Sequence, residues 1–135
     1  MGRNAGWLTG AAALAKGEDC EGPDMLFLPE ITFDVDDFMH KVAELHKTKK
    51  SVVVAISEGV KVADGRYVCE LTDNIDFVDA FGHRQLTGTS RFLAQKISKE
   101  VGCKTRAIEF NSLQRCASHI VGRVDITEAY QVGGA

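Results

Sequence analysis

Val52-Val53-Val54-Ala55-Ile56-Ser57-Glu58-Gly59 is the stretch that decides the fold. Residues 52–56 are β-branched or apolar with no polar alternation, the pattern of a strand covered on both faces. Ser57-Glu58-Gly59 ends the run abruptly and sets a carboxylate at the tip of the strand. Upstream, residues 25–28 form a second short apolar run, closed by Pro29. Between the two runs Asp34 heads a helix. Asp36 and Asp37 fall in its first turn, where negative charge suits the helix dipole, and Lys47, Lys49 and Lys50 follow at its end. Val35, Phe38, Met39, Val42 and Leu45 recur at helical offsets, so this is the clearest helix in the chain.

Further out, residues 5–16 are rich in Ala and Leu and predict a buried or half-buried helix ended by Gly17. Ala63-Asp64-Gly65-Arg66 reads as a turn. Leu93, Ile97 and Val101 predict a helix over about 90–101, stopped by Gly102. Residues 105–110 predict a third strand, and Asp125 begins a last helix through Glu128 and Tyr130. Alternating helices and continuous apolar strands predict an α/β protein, its mostly parallel sheet carrying helices on both faces. Such a sheet places ligands in the loops at the carboxyl ends of its strands.

Composition narrows the partners. The 135 residues suffice for one domain with its own core, and 44% hydrophobic with 26% charged residues is ordinary for a soluble globular chain. A net charge of −3 gives no general attraction to nucleic acid or to an anionic membrane, so any anion site must be a local cluster. Cys20, Cys69, Cys103 and Cys116 form no CxxC pair, which speaks against zinc and for reduced thiols in a cytoplasmic protein. No apolar stretch is long enough to span a bilayer, and none resembles a signal peptide.

Three segments carry anion-reading or hydroxyl-reading chemistry. Met1-Gly2-Arg3-Asn4-Ala5-Gly6-Trp7 sets two glycines and an arginine before a helix, a natural anion site, although a plain N-terminal tail has the same features. Glu58 can accept hydrogen bonds from sugar hydroxyls, or simply face water as a loop glutamate. Arg106 and Arg115 bracket the third predicted strand, with Ser112 between them. The strand would keep the two arginines apart within one subunit, but a symmetric interface could bring them to one phosphate. Surface ion pairs are the other reading. His83 and Arg84 lie in a Gly-flanked loop and read as ordering that loop; His40, His46 and His119 read as solvated or structural. No nucleophile elbow, Walker-type loop or metal-ligand cluster is present.

Taken in order, MGRNAGW, PDMLFLPE, SEG after VVVAIS, FGHRQL, TRA followed by SLQR, and DITEAYQVG resemble the C-terminal half of a phosphofructokinase domain, over essentially all 135 residues. The resemblance implies a three-layer α/β fold whose enzymes move phosphate from ATP or pyrophosphate to the 1-hydroxyl of fructose 6-phosphate. It implies that Met1, Gly2 and Arg3 line the fructose 6-phosphate site, with Arg3 facing the transferred phosphoryl group as a charge stabiliser. It implies that Glu58 binds sugar hydroxyls, that Arg115 holds the 6-phosphate, and that Arg106 reaches the 6-phosphate of an adjacent subunit in a homo-oligomer. Ser112 stands where many ATP-dependent members have histidine, and its hydroxyl can donate to phosphate without carrying charge. Cys116-Ala117 replaces a pair of glycines, and these departures look more like the pyrophosphate-dependent branch.

The family's glycine-rich donor loops and its magnesium-holding aspartate segment have no counterpart here. Residues 1–135 are therefore expected to be a single partial domain, inactive alone, with Mg2+ ligands elsewhere. Apolar surface that the other lobe covers is expected to lie open. The alternative is a non-catalytic sugar-phosphate-binding or subunit-interaction module with the same fold.

Overall fold

The computed structural model describes residues 4–71, 88–110 and 117–134. Among these residues four α-helices and two strands run in the order α1 (Trp7–Ala11), β1 (Met25–Phe27), α2 (Val35–Thr48), β2 (Val54–Ile56), α3 (Thr89–Glu100) and α4 (Arg123–Gly133), with a 3₁₀ turn extending α1 over Ala12–Ala15.

β1 and β2 pair in parallel, Met25 opposite Val54 and Phe27 opposite Ile56. Parallel neighbours need a crossover, and α2 supplies it. Asp34 caps that helix as its sequence predicts: one carboxylate oxygen accepts from the N–H of Asp36 at 2.9 Å and of Asp37 at 3.0 Å. The helix buries Phe38, Met39 and Val42. Phe38 meets the rings of Phe27 and Phe33, and α3 adds Leu93 and Ile97 to the same core. Met25 and Phe27 face this core, whereas Leu28 lies against Gly6 and Gly10 at the start of α1. Helices thus flank both faces of the sheet, as the sequence predicts for an α/β protein.

Three expectations need correction. The strand predicted over 52–56 begins at Val54 and is half-buried throughout. Ahead of it, Val53 is 55% exposed: its N–H donates to the Asp24 carboxylate, while its carbonyl accepts from the N–H groups of Asp24 and Met25. Residues 105–110 form no strand: with no strand beside them among the described residues, they lie along α3, tied by side chains. The first helix is formed but not buried, with Trp7 88% and Leu14 85% exposed. An Ala-rich segment encodes a helix and a face that favours cover, without specifying what covers it. α4 likewise buries no residue among those described, leaving Val124, Tyr130 and Val132 in solvent. No helix among the described residues is long and apolar enough to cross a membrane.

Candidate functional site

In a parallel sheet the loops that follow neighbouring strands leave at the same edge. The N–H of Ser57 donates to the carbonyl of Phe27 at 3.1 Å, fastening the first residue after β2 to the end of β1. Ser57 is buried, and its hydroxyl accepts from the N–H of Gly59 at 3.3 Å. Val60 is fully buried, and its carbonyl accepts from the N–H of Val68 at 3.1 Å. Glu58 therefore sits on a loop clamped on both sides, itself half-buried.

α3 reaches this loop from its first turn. Thr89, 2% exposed, directs its hydroxyl to the carbonyl of Glu58 at 3.4 Å. It follows Gly88, whose φ of 111° lies in the region that side chains disfavour. Behind the loop, burial pushes the Cys69 thiol up; a hydrogen bond to Thr89 offsets part of this, and the carboxylates of Glu70 and Glu58 add to it. Cys69 is thus a buried thiol beneath the Glu58 loop, whereas Cys20 is exposed and Cys103 half-buried.

The N-terminal segment arrives at the same edge. Gly6 is buried, and its N–H donates to Oε1 of Glu30 at 2.7 Å. Glu30 follows β1 by three residues, much as Glu58 follows β2 by two. A Cβ at position 6 would lie 2.6 Å from Oε2 of Glu30 and 2.9 Å from Cδ2 of Leu28, so a side chain there would require the ends of both to shift. Asn4 Oδ1 accepts from the hydroxyl of Tyr67 at 3.5 Å, a long bond from the short hairpin closed by the Lys61–Tyr67 bridge. Lys61 Nζ lies over that ring, 4.7 Å from its centre. Met1, Gly2 and Arg3 lie outside the described residues, joined covalently to this anchored stretch.

The segment carrying Arg106 returns along α3. Thr105 donates its hydroxyl to the carbonyl of Ala94 at 2.8 Å. Four residues later Glu109 accepts from the hydroxyl of Ser90 at 3.1 Å and pairs with Arg91 at 3.4 Å. The chain thus travels from the middle of α3 back to its start, beside the Thr89–Glu58 contact. Ser112 and Arg115, which follow, lie outside the described residues, as do His83, Arg84 and Cys116. Arg106 is exposed, with no ion-pair or hydrogen-bond partner among the described residues. With no strand over 105–110, the sequence-based reason for separating Arg106 from Arg115 no longer applies. His40, His46 and His119 are all exposed.

Of the predicted site residues, then, Glu58 stands at the carboxyl edge, and the segment following Arg3 is fastened to that same edge. Glu30, Tyr67 and Thr89, which do the fastening, were not singled out from the sequence. Glu30 had a usable signal: like Glu58, it is a carboxylate just beyond an apolar strand. Among the described residues no group of three or more His, Cys, Asp or Glu side chains is placed to hold a metal ion.

The described residues thus form a parallel α/β lobe whose strand-end loop presents a half-buried carboxylate, Glu58. Comparison with known proteins gives the family. The phosphofructokinase family model matches residues 1–133. A pyrophosphate–fructose 6-phosphate 1-phosphotransferase from Halomonas elongata is 38% identical over 98% of this chain and 31% of its own length. Its counterpart from Xanthomonas campestris pv. campestris is also 38% identical, over 100% of this chain and 32% of its own length. The solved structure of a pyrophosphate-dependent phosphofructokinase from Nitrosospira multiformis superposes with a TM-score of 0.66 at 34% identity, covering 98% of this chain and 29% of that one. The chain belongs to the phosphofructokinase family. It spans about a third of the length of the relatives it matches.

Proposed function

We propose that this chain is the acceptor-binding portion of a fructose 6-phosphate 1-phosphotransferase of the cytoplasm, one that takes its phosphoryl group from pyrophosphate and acts as a homo-oligomer. The observation that carries the reading is that two segments, residues 4–6 and Ser57-Glu58, are each tied to the carboxyl edge of the β1–β2 pair, through Glu30 and Phe27. Similarity to the pyrophosphate-dependent relatives supports the choice of donor over ATP.

In this reading Glu58 accepts hydrogen bonds from the sugar hydroxyls and orients the ring. Arg115, with its planar fork, and Ser112 hold the 6-phosphate; Arg106 reaches into the site of an adjacent subunit. Met1 and Gly2 line the sugar, and Arg3 stabilises charge on the phosphoryl group as it moves. Phosphoryl transfer depends on positioning and on charge neutralisation, and the latter is also what Mg2+ supplies when bound. The ligands of that ion are assigned to the remainder of the enzyme, where the family's magnesium-holding aspartate segment is expected.

Calorimetric titration of the 135-residue chain with fructose 6-phosphate tests the site. Arg115→Ala should weaken binding at least about tenfold, as expected for a charge-assisted contact. Equal binding by both proteins removes Arg115 from the site. With pyrophosphate and Mg2+ added, the chain alone should not turn over, and robust activity would refute the assignment of donor chemistry to other segments.

A further inference from the structure

The carboxylate assigned to the sugar hydroxyls is followed by Gly59, and a peptide next to glycine turns with little steric resistance. An acceptor that must meet hydroxyls along defined directions binds better when that freedom is removed beforehand. Backbone bonds fix the neighbours of Glu58, tying Ser57 to Phe27 and Val60 to Val68. Thr89 reaches residue 58 itself: its hydroxyl donates to the Glu58 carbonyl at 3.4 Å across 31 residues of sequence. That carbonyl belongs to the peptide between Glu58 and Gly59, so the bond holds the backbone at the root of the carboxylate. Three further observations fix Thr89 in place. It is 2% exposed, which keeps its side chain out of reach of a ligand. Its hydroxyl also meets the buried thiol of Cys69. The next two residues, Ser90 and Arg91, both meet Glu109, at 3.1 and 3.4 Å, so the first turn of α3 has an anchor of its own. Packing alone would be met by valine, which has the same shape; a buried hydroxyl costs free energy that its bonds must offset.

We infer that Thr89 is a positioning residue for Glu58, holding the loop backbone so that the carboxylate meets the sugar hydroxyls, without itself touching the substrate. The inference rests on the fructose 6-phosphate reading above and deepens it. Thr89→Val removes the hydroxyl at nearly constant shape. In calorimetric titration of the 135-residue chain it should weaken fructose 6-phosphate binding about fivefold, the scale of one neutral hydrogen bond lost from a preorganised loop. Thr89→Ser keeps the hydroxyl and should restore wild-type affinity; its failure to do so would point to the methyl group and overturn the inference. Thr89→Ala, which also lacks the hydroxyl, should show the same loss and serves should the valine variant fail to fold.

The decisive comparison is made in a Glu58→Ala background, where Thr89→Val should add nothing, because the carboxylate it positions is gone. A threonine that served only the fold would weaken binding equally in both backgrounds, and that result overturns the inference. So does undiminished affinity in both Thr89→Val and Thr89→Ala when Glu58→Ala alone weakens binding, an outcome that leaves the fructose 6-phosphate reading intact. Full affinity in Glu58→Ala removes that residue from the site and the role of Thr89 with it. If the wild-type chain binds no fructose 6-phosphate, both readings fall together.

Discussion

Replacing Phe38 with alanine removes the side chain that joins the crossover helix to the sheet. Phe38 is 1% exposed, with ring centres 5.5 Å from Phe27 and 5.3 Å from Phe33. Truncation of a buried phenylalanine costs about 3–5 kcal/mol, within which the ring–ring geometry accounts for roughly 0.5–1.5 kcal/mol per pair. A domain of this size has about 5–15 kcal/mol in all. This chain belongs at the low end, since large apolar side chains such as Trp7, Leu14, Phe110 and Tyr130 stay in solvent. Phe38→Ala should therefore leave roughly 0–2 kcal/mol, with up to about half of the chains unfolded at room temperature and fructose 6-phosphate binding reduced in proportion. Phe38→Leu, closer in volume, should cost under about 1.5 kcal/mol and keep binding. Urea titration followed by far-UV circular dichroism is the assay. Trp7 emission is the wrong probe, because that indole is 88% exposed before unfolding begins. An alanine variant that melts at the wild-type urea concentration would show that the aromatic cluster does not organise this core.

Other substitutions probe the loops and the strand starts. Glu58→Gln should lower fructose 6-phosphate affinity about tenfold while leaving the thermal midpoint in place, and full affinity would take Glu58 out of the site. Gly6→Ala should cost about 1–3 kcal/mol, since its Cβ meets Glu30 and Leu28 below contact distance; a neutral result in thermal melts would deny the close approach. The Lys49 ammonium, followed by the Val53 N–H, holds the Asp24 carboxyl below its ordinary 3.8. A depressed carboxylate stabilises the fold above its unfolded pKa, so the advantage of wild type over Asp24→Asn should be constant above about pH 5 and close as pH falls below 3.8. An undiminished gap at about pH 2 would count against that pairing. Cys69, buried and with its thiol pushed up chiefly by burial, should react with a thiol reagent at least about tenfold more slowly than Cys20 in the folded chain. Peptide mapping that finds equal labelling would refute its burial.

Local signals were the ones legible in the sequence. The helix Val35–Thr48 could be read from its cap, its acidic first turn and its apolar spacing, all of which act within a few residues of where they are written. The strands were legible as apolar runs, but their ends were not. Asp24 intercepts Val53 with a side chain, a contact spanning 29 residues that no window around Val53 contains. The misread segment 105–110 shows the same limit from the other side. Composition alone does not distinguish a run that pairs with a strand from one that lies along a helix; here Thr105 and Glu109 settle it through bonds to Ala94 and Ser90. The exposure of Trp7 and Leu14 has a different origin, because what covers an apolar face is never written in the face itself.

The candidate site was legible to the extent that topology generates it. A carboxylate just past a parallel strand has to stand at the ligand edge, and this rule places Glu58 and Glu30 there alike. What distinguishes the two is contact over distance: Glu30 holds Gly6 across 24 residues, Thr89 reaches the Glu58 backbone across 31, and Tyr67 touches Asn4 across 63. Each of these joins a loop to an element that sequence reading treats as unrelated. The order of motifs along the chain nevertheless points to the same edge, because a strand-end loop is confined to where the sheet lets it emerge. Position in such a fold follows from connectivity, while the task of a side chain follows from which backbone it is held against.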